Sequence, residues 1–144
     1  MKKKYVIVVL LVIIVLAGLI AGSFWRYRTV PAADIIRSQT VSVLSVYKVS
    51  STGELPLTED EVGALTDFLL NCKVKRAKLS RYPGAVYRIS FYGNEDAEFI
   101  NMVLGEDAAQ CFLEYRHTDD DYTVYEIVDA EEAYARVCEL LNDN

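Results

Sequence analysis

The residues best equipped for chemistry are three cysteines, a single histidine and one dense run of basic side chains. Cys72, Cys111 and Cys138 are too far apart in sequence for a CxxC or zinc-ribbon arrangement. Cys72 and Cys138 each fall on the apolar face of an expected helix, so a disulfide between adjacent helices is one reading, open to a chain exported from the cytoplasm. The competing reading takes all three as small buried hydrophobes. Cys111, His117 and Asp119 can be drawn as a nucleophile, base and orienting acid. Yet no nucleophile elbow or helix N-terminus surrounds the cysteine. Asp119, Asp120 and Asp121 could attract a cation, but the alternating oxygen donors, glycine and closing glutamate of a calcium loop are absent. No metal or cofactor is expected, and no glycine-rich phosphate loop or nucleotide fingerprint occurs.

The basic run is the most unusual local feature. Lys73, Lys75, Arg76, Lys78 and Arg81 fall within nine residues, in a chain whose formal net charge is -6. All 21 acidic residues lie beyond Trp25, so nucleic acid is not an expected partner. As an edge strand, the run would deter sheet-to-sheet pairing. As a binding patch, it would meet anionic lipid headgroups, an anionic polymer or an acidic partner. A tyrosine surface at Tyr92, Tyr115 and Tyr125 is a further stacking candidate.

These residues must be positioned by the elements around them. Residues 5–25, YVIVVLLVIIVLAGLIAGSFW, carry no charge and no polar face. As a helix they span about 31 Å, close to the hydrocarbon thickness of a bilayer. Tyr5, Trp25 and Tyr27 sit at the two edges as interfacial aromatics. Lys2, Lys3, Lys4 and the amino terminus outnumber Arg26 and Arg28, which favours a cytoplasmic N-terminus. The apolar run is longer than the core of a cleaved signal peptide, although Ala21-Gly22-Ser23 offers small residues for cleavage. The expected organisation is therefore a basic N-terminus at 1–4, a transmembrane helix at 5–25, a linker at 26–39 and an extracytoplasmic domain at 40–144.

Within that domain, Thr40 to Val49 is rich in β-branched residues and reads as a strand. Thr58-Glu59-Asp60-Glu61 is a capping box opening a helix whose apolar face is Val62, Leu65, Phe68, Leu69 and Cys72. Lys73 to Leu79 reads as a polar edge strand. Further strands follow over 85–92, 99–104, 111–115 and 122–128. Asp129 caps a closing helix with an apolar stripe at Ala133, Tyr134, Val137, Cys138, Leu140 and Leu141. The expected fold class is α+β: a mostly antiparallel sheet of five or six strands with two amphipathic helices on one face.

The basic-apolar N-terminus, the capped helix at Thr58, the Tyr87 to Tyr92 strand and the closing strand and helix from Tyr122 to Leu141 resemble small membrane-tethered extracytoplasmic domains of unknown function from Gram-positive bacteria. That resemblance implies no catalytic residue. The expected role is a single-pass membrane protein presenting a non-enzymatic interaction domain to an envelope protein, peptide or anionic polymer. A secreted or anchored hydrolase, and an accessory subunit of a membrane complex, are the alternatives.

Overall fold

A computed structural model describes residues 2–51, 53–77, 84–94, 98–117 and 122–141. The chain opens with helix α1, Lys2–Arg26. Its apolar stretch, Lys4–Arg26, is long enough to cross a membrane, and its most apolar window is entirely unburied. Every backbone group of such a helix bonds within the segment, so lipid costs it no unpaired polar atoms.

Among the described residues, seven strands form one antiparallel sheet. They are β1 (Val30–Pro31), β2 (Val41–Lys48), β3 (Lys73–Arg76), β4 (Tyr87–Gly93), β5 (Phe99–Leu104), β6 (Phe112–Arg116) and β7 (Tyr122–Ile127). Their spatial order is β1-β3-β7-β6-β5-β4-β2. Helices α2 (Glu59–Asn71) and α3 (Ala130–Leu140) complete the α+β fold.

Alternation along the strands decides which face is covered. Tyr87, Ile89 and Phe91 of β4, Ile100, Met102 and Leu104 of β5, and Leu113 and Tyr115 of β6 join one core with Leu65, Leu69, Ala133 and Val137 of the helices. Burying Leu65 and Leu69 contributes roughly 2 kcal/mol each, enough to hold a helix that would be marginal alone. Helix α2 starts as its sequence dictates. The Thr58 hydroxyl accepts from the Glu61 N–H, and the Glu61 carboxylate accepts from the Thr58 N–H at 2.7 Å. Those contacts hold the Glu61 carboxyl below its ordinary range. The helix stops at Cys72, where ψ of 130° turns the chain into β3. Asp129 precedes α3 as expected, but its side chain makes no capping hydrogen bond.

Two expectations about chain organisation change. The sheet has seven strands, because Val30–Pro31 pairs with β3, Val30 opposite Val74 and Pro31 opposite Lys73. In consequence β3 is covered by β1 over Lys73 and Val74 and is an open edge only at Lys75 and Arg76. The second change concerns residues 26–39, expected as a linker. Ala32 is fully buried and its N–H bonds the Cys72 carbonyl at 2.7 Å. A single 3-10 turn, Ala32–Asp34, follows, and Ile35 and Ile36 pack on the core. Apolar residues at positions 32, 35 and 36 share one side of a turn, which is what lets the segment dock.

Candidate functional site

The basic run does not form one patch. Cross-strand pairing places Val74 opposite Ile127, Lys75 opposite Glu126 and Arg76 opposite Tyr125. Successive side chains point to opposite faces. Lys75 therefore meets Glu126 in a salt bridge of 3.2 Å on the face away from the helices. Both side chains are nearly half exposed, so the pair contributes at most about 1 kcal/mol. Arg76 lies on the other face, with Tyr125, in a cavity of about 180 Å³ also lined by Trp25, Arg26, Arg28 and Asp34. Lys73 lines the groove between α2 and α3. Lys78 and Arg81 lie outside the described residues.

At the same end of the sheet as Arg76 sits a feature that the residue types alone do not announce. Glu98 is fully buried. One carboxylate oxygen accepts from the Arg37 N–H at 2.8 Å and the Tyr115 hydroxyl at 2.6 Å; the other accepts from the Ser38 N–H at 2.9 Å. Burial by itself would push this carboxyl up. The bonds from the Ser38 side chain, Tyr115 and the two backbone N–H groups outweigh it and hold the group below the ordinary carboxylate range. Gly93 makes the approach possible: a Cβ there would lie 2.6 Å from a Glu98 oxygen and would also collide with Ser38. Glu98 thus fastens the segment that follows α1 to the β4–β5 hairpin. The Thr40 N–H bonding to the Asn94 side chain at 3.2 Å adds a second tie.

The three cysteines are free thiols, so of the two readings the structure has the one without a bridge between Cys72 and Cys138. Cys72 sits at the end of α2 beside the start of β3, whereas Cys138 lies on α3. Burial pushes the Cys72 thiol up to about 12, with Asp129 and Cys111 adding to the effect. Burial also raises Cys111. Neither is a nucleophile at neutral pH. We expect Cys72 and Cys111 of the folded protein to resist a thiol reagent at pH 8, and all three thiols to react after denaturation without reductant. Finding one thiol instead of three in the denatured protein would restore the bridge.

The structure does not assemble the drawn triad. Cys111 precedes β6 and His117 follows it, leaving them about 20 Å apart along an extended strand. Asp119, with Asp120 and Asp121, lies outside the described residues. Among the described residues no group of three or more metal-ligating side chains is brought together. The tyrosine surface also divides. Tyr115 is buried against Glu98, while Tyr92 is exposed on the opposite face, one residue out of step with Phe91.

That opposite face carries a polar ladder which the alternation at Ser90, Asn101 and Glu114 could have revealed. The Ser90 hydroxyl donates to the Asn101 carbonyl oxygen at 2.8 Å. The Asn101 amide donates to Glu114 at 3.2 Å, and the Tyr122 hydroxyl donates to the other Glu114 oxygen at 3.0 Å. Four strands are thereby cross-linked by side chains as well as backbone. No family model, curated protein or solved structure matches the chain.

Proposed function

We propose that this chain is a single-pass membrane protein, N-terminus in the cytoplasm, whose α+β domain is displayed on the extracytoplasmic side as a non-enzymatic interaction module. One observation carries the reading: α1 offers an apolar surface over Lys4–Arg26 that the domain leaves wholly unburied. A helix with that surface is stable in hydrocarbon and costly in water, at roughly 1.5 kcal/mol for each large aliphatic side chain left wet. The three N-terminal lysines and the amino terminus against Arg26 and Arg28 support the orientation. The raised thiols, the separation of Cys111 from His117 and a surface organised as a sheet face support binding over catalysis. Fitting partners are an envelope protein, a peptide or an anionic polymer.

The test is protease accessibility in intact cells, followed by the mass of the surviving N-terminal fragment. We expect the domain to be digested from outside and a fragment retaining residues 5–25 to stay with the membrane. A domain protected until the cells are broken would reverse the topology. A mature chain starting near Phe24 would replace the anchor by a cleaved signal.

A further inference from the structure

We propose that the junction between α1 and the sheet is a headgroup site for an anionic glycerophospholipid, closed by Arg76. The inference rests on the reading that α1 spans the bilayer. In that reading Trp25, at the end of the apolar run, marks the level where hydrocarbon gives way to headgroups. Arg26 and Arg28 follow at once, and the Arg28 guanidinium lies 4.3 Å from the centre of the Trp25 ring. Such stacking fixes the planar group while leaving its N–H donors free to point outward.

Arg76 is fifty residues further along the chain, but the fold returns it to the same place. Pairing of Val30 with Val74 binds β3 to the first residues beyond the helix. Arg76 then shares the 180 Å³ cavity with Trp25, Arg26, Arg28, Asp34 and Tyr125. Among the described residues none of the three arginines forms a salt bridge. Three guanidiniums against the single carboxylate of Asp34 leave the cavity cationic. Its size suits one phosphodiester, which guanidiniums recognise through paired N–H donors. Asp34 adds an acceptor for a headgroup hydroxyl, the combination that phosphatidylglycerol supplies. The occupant is a lipid rather than a dissolved anion because the cavity's wall includes the end of the membrane helix itself.

The experiment is native mass spectrometry of the full-length protein in detergent, titrated with phosphatidylglycerol or phosphatidylcholine. The wild type should hold one phosphatidylglycerol in preference to phosphatidylcholine. Arg76→Gln should weaken that complex about fivefold, the effect of one basic side chain at a lipid surface. Lys75→Gln removes the same charge one residue away, on the other face, and should leave binding unchanged. If Arg76→Gln proves poorly folded, Arg28→Gln gives the same reading from outside the sheet. Equal losses for the Arg76 and Lys75 variants would reduce the effect to diffuse charge and overturn the site. Displacement of the lipid by inorganic phosphate, but not by sodium chloride of equal ionic strength, would make it a site for free anions and overturn the lipid assignment. A soluble full-length chain, by contrast, would sink the membrane reading itself before any lipid is added.

Discussion

Glu98→Ala is expected to lower the unfolding midpoint of the domain by about 10–15 °C, followed through tyrosine near-ultraviolet circular dichroism of the full-length protein in detergent. The substitution removes the acceptor for the Arg37 and Ser38 N–H groups and for the Tyr115 hydroxyl. Leaving buried donors unmatched costs about 1–3 kcal/mol for each, partly offset where water enters, so the expected loss is about 3 kcal/mol overall. For a domain of this size each kcal/mol moves the midpoint by about 4 °C. Acid should produce the same loosening in the wild type. The carboxyl titrates below its usual value near 4.5 when folded. Its stabilisation is therefore complete above that value and lost as pH falls below it through the folded-state pKa. Between pH 6 and 8 it adds no pH dependence. Glu98→Gln keeps the shape, lacks the charge, and should flatten this acid limb. An unchanged midpoint for Glu98→Ala would show that the carboxylate holds nothing in place.

Cutting the chain gives the second large effect. A chain beginning at Thr29 keeps β1, Ala32, Ile35, Ile36 and both backbone donors to Glu98. It should unfold cooperatively and stay in solution without detergent. A chain beginning at Gln39 loses all of them. Two part-buried isoleucines and one buried alanine account for roughly 3 kcal/mol, and the orphaned carboxylate for about 3 more. The sum of about 6 kcal/mol rivals the entire stability of an ordinary domain. We expect the shorter chain to lack a sharp thermal transition and to aggregate. Matching transitions for the two chains would return residues 30–38 to the status of a spacer.

Much of this architecture is legible in the amino-acid order, and the exceptions have a common cause. Helix α2 is announced by Thr58 and Glu61 because a capping box is local: four residues supply both hydrogen bonds. The strands from Tyr87 to Ile127 are announced by alternation, also local. Strand β1 is not, since two residues, one of them proline, make no pattern and acquire extended pairing only from Val74 and Lys73. Glu98 carries no local sign of burial in the amino-acid order. Its burial depends on Tyr115, 17 residues later, and on Ser38, 60 residues earlier. The basic run was visible as a composition anomaly, and its division between two faces follows from strand parity. What parity cannot show is that Arg76 comes back to the arginines beside Trp25. That requires knowing which strand lies next to β1.

The absence of slack below the sheet limits what the head can survey. Were residues 26–39 a loose tether, the domain would wander about 20 Å from its point of exit. Instead only Tyr27, Arg28 and Thr29 separate the end of α1 from the first paired residue, Val30. A body of this size has a radius of gyration of about 13 Å. Where α1 spans a bilayer as proposed, a stem that short would keep the head in a thin layer hugging the lipid, at a nearly constant height, and would pass a rocking of the helix to the sheet as a tilt of the whole head.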